Sequence, residues 1–175
     1  MSDNKPDNTT EPLGKNMMTI AWIIAIGLAT WIFGGIEDRQ NNPNQSPLSS
    51  KNNQQIIVEL TQNRYGHYVV NGTVNGKAVT FILDTGATDV AIPGELENYL
   101  QLERGYAVDV YTANGTAKAY LSKINYIEIG DIKLDHVRAS INPSMEGKEI
   151  LLGMAALKQL EFRQKGKRLT LIQTL

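Results

Sequence analysis

Asp84, Thr85, Gly86 and Ala87 set a carboxylate, a hydroxyl and two small residues at the end of the apolar run Phe81-Ile82-Leu83. An apolar setting disfavours the charged form of a carboxylate. Gly86 allows backbone conformations closed to other residues, so the chain can turn sharply beside Asp84. Thr85 supplies a hydroxyl able to hold backbone or partner groups. Taken alone, Asp-Thr-Gly also reads as an ordinary turn that ends a strand. Other chemistries are excluded by composition. The 175 residues contain no cysteine, which removes disulfides, thiolate zinc sites and a cysteine nucleophile. The two histidines, His67 and His136, are too few and too far apart for an HExxH metalloprotease or a three-histidine site. A formal charge of -1 gives no electrostatic reason to bind nucleic acid.

Strand signals surround the motif. Tyr65–Val74 and Lys77–Leu83 flank Asn75-Gly76, the strongest short-range signal for a two-residue hairpin. That loop sets Val74 opposite Lys77, Gly72 opposite Val79, Val70 opposite Phe81 and Tyr68 opposite Leu83, an apolar face expected in the core. A second hairpin is expected around Asn114-Gly115, between Ala107–Ala113 and Thr116–Leu121, with a tip of small residues that packs little. Tyr126–Ile129, Gly130-Asp131 and Ile132–Ile141 predict a third. Ile150–Gly153 predicts a short buried strand, Met154–Leu160 a short helix, and Phe162–Ile172 a closing hairpin around Lys165-Gly166. The pattern is all-β with one late helix.

The rest of the chain divides sharply. Residues 1–16 are polar and predict a disordered tail. Residues 17–36 are twenty positions without a charge, about 30 Å as a helix, which matches a bilayer core. An uncleaved transmembrane anchor is favoured over a cleaved signal, although Gly27-Leu28-Ala29 loosely fits a cleavage site. Lys5 and Lys15 on one side and Arg39 and Lys51 on the other leave orientation tied. Residues 37–55 predict a flexible polar linker, and residues 56–175 the folded domain. Arg163, Lys165, Lys167 and Arg168 form a basic hairpin tip, read here as a solvated turn rather than a lipid contact.

With these motifs in order, the chain resembles a retropepsin-like aspartic protease, specifically the small membrane-anchored bacterial group with Asp-Thr-Gly-Ala. The resemblance rests on the hairpin leading into Ile82–Thr88, the Ala113-Asn114-Gly115 hairpin, Ile150-Leu151-Leu152-Gly153-Met154, and the helix after it. It implies a closed, barrel-type β domain with one short C-terminal helix, behind a single transmembrane helix. It implies peptide hydrolysis by two aspartates sharing one proton, because like charges about 3 Å apart cannot both ionise.

Only one Asp-Thr/Ser-Gly is present; Asp89, Asp109, Asp131 and Asp135 lack the following residues. The resemblance therefore implies a homodimer with one Asp84 from each chain. It assigns Thr85 to knitting the two loops together, and Gly86 and Ala87 to close approach. Ala113, Asn114, Gly115 and Thr116 would form a flap over a protein or peptide substrate. Leu152 and Gly153 would pack beneath the catalytic loop, and the last strand is weighed equally as an intersubunit strand or an ordinary core strand. No metal or cofactor is expected, residues 17–36 would hold the lipid bilayer, and the domain would face the periplasm from the inner membrane. Two rivals remain: a non-catalytic peptide-binding or assembly module, and a protease whose substrate is its own linker.

Overall fold

The computed structural model describes residues 11–112 and 115–175, with side chains of 11–15 and 112 left aside. The chain separates into two compact units, residues 1–38 and 39–175. The first contains most of helix α1 (Glu11–Asn41). Its stretch 16–41 is long and apolar enough to cross a membrane, with a mean hydropathy of 1.9, and a signal sequence has the same properties. Trp22, Trp31 and Phe33 are all exposed on it.

The second unit holds two sheets. β1 (Leu48–Lys51), β2 (Gln55–Thr61), β11 (Arg168–Thr174) and β10 (Glu161–Lys165) form a four-stranded antiparallel sheet in that order. The larger sheet runs β3 (Val69–Val74), β4 (Lys77–Leu83), β9 (Glu149–Leu152), β5 (Val90–Pro93), β8 (Ile132–Asn142), β7 (Gly115–Ile129) and β6 (Ala107–Thr112). β3 also pairs with β7 through Thr73 and Val74, so six strands close on themselves and β6 hangs outside the ring. This is a mostly β, barrel-type domain. It carries the short helix α3 (Met154–Leu157) near its end and, unforeseen, a single-turn helix α2 (Glu97–Leu100).

Alternation explains the closure. β3 and β4 turn at Asn75 and Gly76, with φ of 50° and 78°, which is type I′ geometry. The register sets Val70 opposite Phe81 and Val74 opposite Lys77, as the turn requires. Val70, Val74 and Phe81 are fully buried, together with Ile127, Ile141, Ile150 and Leu152 from the other strands. Each such side chain removed from water stabilises the fold by about 1.5–3 kcal/mol.

Several boundaries differ from those the sequence suggests. Residues 1–10 of the expected tail lie outside the described residues, and 11–16 belong to α1. The stretch 37–55 is not a free linker. α1 continues to Asn41, Asn44 is buried, and Leu48–Lys51 pairs with β2, because backbone beside an open sheet edge gains hydrogen bonds that coil lacks. Residues 116–121 and 126–129 are one continuous strand, β7. The last hairpin turns one residue later than expected, with Lys165 opposite Arg168. β11 has β2 on one side and β10 on the other, so neither of its edges is open to a second chain.

Candidate active site

Asp84 follows β4 directly, and its loop is held from three sides. Its N–H donates to the Leu152 carbonyl at 3.2 Å, which continues the parallel pairing of Leu83 with Leu152. Its carbonyl accepts the Ala87 N–H at 3.3 Å, and its Oδ1 accepts the Gly86 N–H at 2.8 Å. The last bond closes an Asx turn that fixes where the carboxylate points. The far limb is sewn to α3. Met154 N–H donates to the Ala87 carbonyl and Ala155 N–H to the Thr88 carbonyl, each at 2.8 Å. Asp84 and Ala87 are half-buried, while Thr85 and Gly86 are exposed.

Gly153 is buried beneath this loop. A Cβ there would lie 2.1 Å from the Asp89 carbonyl oxygen and 2.6 Å from that of Ala87. Only a residue without a side chain lets the β9–α3 corner come so close. Leu152 and Gly153 thus sit under the Asp84 loop and bond or abut its backbone.

Asp84 opens onto a cleft of about 1460 Å³ between this loop and the β6–β7 hairpin. Gly86, Ala87, Thr88 and Asp89 line one side, and Asp109, Tyr111, Gly115, Thr116 and Lys118 the other. Ser140, Asn142, Met145 and Glu146 border it from the end of β8 and the following loop. Asp89 is ion-paired with Arg138, so the second carboxylate closest in sequence to Asp84 is engaged elsewhere.

The flap positions divide. Ala113 and Asn114 lie outside the described residues. Gly115 and Thr116 line the cleft but belong to β7, since Thr112 pairs with Gly115. The expected turn would set Ala113 opposite Thr116; instead Tyr111 is opposite Thr116, a register two residues away, and Gly115 is on a strand with φ 108°. His67 and His136 are exposed and far apart in the fold's order, and no group of potential metal ligands occurs among the described residues.

The cleft residues Asp109, Tyr111, Lys118, Ser140, Asn142, Met145 and Glu146 were not anticipated as site residues. Asp109 and Tyr111 alternate with Val108 and Val110 on β6, so they share one face of the hairpin. Alternation along β6 does not single them out, because Val110 and, on β7, Ala117 line the cleft as well.

A carboxylate loop underpinned by a parallel strand and a glycine corner, with a hairpin opposite, defines the fold of a retropepsin-like aspartic protease. The chain belongs to the gag-polyprotein putative aspartyl protease family, whose model matches residues 70–159. A crystal structure of a retropepsin-like aspartic protease from Rickettsia conorii is similar at 25% identity and a TM-score of 0.59, covering 71% of this chain and 98% of that one. The EIAV protease in complex with the inhibitor HBY-793 matches at 18% identity and a TM-score of 0.46, over 57% of this chain and 92% of that one. A curated relative from Sinorhizobium sp., an uncharacterized protein in the cobV 5′ region, is 31% identical over 118 residues, 66% of this chain. The chain spans half the length of that relative.

Proposed function

We propose that this chain is a membrane-anchored aspartic endopeptidase, active as a homodimer in which each protomer contributes Asp84. The observation that carries the reading is the Asp84 carboxylate. It is oriented by the Gly86 N–H at 2.8 Å, braced by Leu152 and α3, and opens onto a peptide-sized cleft.

The chemistry follows from a shared proton. The ionised Asp84 of one chain removes a proton from a water, whose oxygen attacks the peptide carbonyl carbon. The protonated Asp84 of the second chain gives its proton to the carbonyl oxygen. Collapse of the tetrahedral intermediate breaks the C–N bond, with a proton passing to the leaving nitrogen. Thr85 and Gly86, exposed on the loop, supply the surface where two loops meet. Gly115 and Thr116 act in a flap that closes over substrate and excludes water, and no cofactor takes part.

The anchoring part of the reading is supported by α1, whose apolar side chains from Met17 to Ile36 are largely exposed, a surface that water tolerates poorly. Residues 17–36 hold the bilayer of the inner membrane, with the protease domain on the periplasmic side. Anchoring two chains on one surface raises their effective concentration for pairing.

The test is cleavage of a peptide library by full-length chain in detergent or bilayer discs, with and without an active-site aspartic-protease inhibitor. Inhibitable cleavage is expected. Adding excess Asp84→Asn chain should depress wild-type turnover roughly in proportion to the fraction of mixed dimers formed. Turnover that ignores the added variant would show a site complete within one chain.

A further inference from the structure

β8 ends in the cleft with two polar side chains that the chemistry proposed for Asp84 does not use. Ala139 and Ile141 are fully buried in the core, so Arg138, Ser140 and Asn142 share the opposite face of the strand. That face meets the Asp84 loop. Arg138 is ion-paired with Asp89, and Ser140 and Asn142 line the cleft. Ser140, Ala91 and Leu151 are partners in one row across β8, β5 and β9, and all three line the cleft. Leu151 also pairs with Ile82, two residues before Asp84. The row is a floor that runs from an aliphatic side chain beside the strand of Asp84 to a hydroxyl.

Ser140 is only 5% exposed and Asn142 only 9%, low for polar residues bordering an open cleft. Asn142 has one structural task. Its Oδ1 accepts the Ser144 N–H at 2.9 Å and its carbonyl accepts the Met145 N–H at 3.2 Å, which closes the turn after β8. The same bond fixes which end of the amide is the oxygen, and Nδ2 is the free end, with no hydrogen-bond partner among the described residues. Ser140 Oγ has none among them either. Neither atom is sealed off, so both are available to a molecule in the cleft. Polar groups so deeply set cost free energy unless something pairs with them.

The floor therefore presents one donor, one hydroxyl that donates or accepts, and an aliphatic approach. An uncharged carboxamide matches this set. Its oxygen accepts from Asn142 Nδ2, its NH₂ donates to Ser140 Oγ, and its methylenes lie along Ala91 and Leu151. A carboxylate would be drawn in near Asp84 and Asp89, while the cation on this face, Arg138, is already paired. An ammonium would find the Asn142 oxygen taken by the turn. Either charge would lose much of its hydration, and an alkyl side chain would leave both polar atoms unpaired.

We propose that Ser140 and Asn142 determine specificity, selecting peptide substrates that carry a glutamine or asparagine side chain beside the scissile bond. The inference rests on the reading of Asp84 as a peptide-cleaving centre and names the substrate class of that site. In a twofold dimer the same subsite occurs once on each side of the bond.

The test is cleavage, by full-length chain in detergent, of peptides in which each position around the bond is varied among Gln, Asn, Met, Leu, Glu and Lys. Gln and Met are close in size, so their ratio isolates hydrogen bonding. At one position or more, Gln is expected to exceed Met in kcat/KM by at least about tenfold. Ser140→Ala removes the hydroxyl, and that ratio should fall to within about threefold of unity. Asn142→Asp keeps the acceptor for the turn but replaces the free donor with an acceptor, which should move the preference from Gln towards Lys. Inhibitable cleavage with a Gln-to-Met ratio near one at every position overturns the subsite and leaves the peptidase reading standing. A wild-type preference that both variants retain overturns the role of these two residues. No inhibitable cleavage of any peptide overturns the peptidase reading, and the subsite with it.

Discussion

The two walls of the cleft are built on opposite principles. The Asp84 loop is bonded through backbone to β9 and α3 and rests on a corner where even a methyl group has no room. In the β6–β7 hairpin facing it, β6 stands outside the closed ring, and Tyr111 on it is 90% exposed. One wall holds a carboxylate through backbone bonds, and the other meets the cleft with an edge strand and exposed side chains. The peptide hydrolysis proposed above would draw on both, because proton transfer tolerates little misplacement while substrate must enter and leave.

Four substitutions sharpen that contrast. Asp84→Asn keeps the Asx turn's shape but removes the titrating group. Turnover should fall by about 10⁴-fold with the unfolding midpoint unchanged, read by peptide cleavage and urea titration side by side. Retained cleavage would take the chemistry away from this residue. Phe81→Ala opens a cavity under the same strand, and a loss of about 3–5 kcal/mol is expected in denaturant unfolding. Gly153→Ala drives a methyl into the Asp89 and Ala87 carbonyls, and should cost about 2–3 kcal/mol together with most of the activity. Tyr111→Ala, on the edge-strand wall, should leave stability within about 0.5 kcal/mol while shifting KM or kcat. If Tyr111→Ala destabilised the fold as much as Gly153→Ala, the contrast between the walls would be wrong.

The buried Asn44 supplies a smaller effect of the same kind. Asn44→Ala leaves the Thr61 N–H and two carbonyls without their partner, a loss of about 1–3 kcal/mol by thermal unfolding of the full chain. An unaltered unfolding curve would mean that residues 41–45 are a tether after all.

How far the sequence carried the fold depended on whether its signals were local. The β3–β4 register follows from Asn75-Gly76 and the alternation beside it, and both are contained in a few residues. The strand Ile150–Leu152 and the helix after it were legible as an apolar run ending at a glycine. Asn114-Gly115 misled the register by two residues, because the long β7 sets its register through β8 as well as through its turn. β1 has only Leu48 as an apolar residue and exists by pairing with Ile56–Glu59. β5 is four residues ending in proline, too short for any periodicity to speak. The cleft residues beyond Asp84 come from β6, β7, β8 and a loop, and only the closed ring brings them together.

The parallel pairing of β4 with β9 also has a consequence in time. Asp84 is made well before the groups that hold it, the Leu152 carbonyl and the glycine beneath it, which follow about 70 residues later. Contacts so distant in sequence form late in folding, after loop closure has been met by nearer ones. During synthesis the carboxylate therefore emerges on an unsupported strand and acquires its geometry only when Ala155 has arrived. Until those later residues are joined on, the Asp84 loop lacks the backbone partners that shape it.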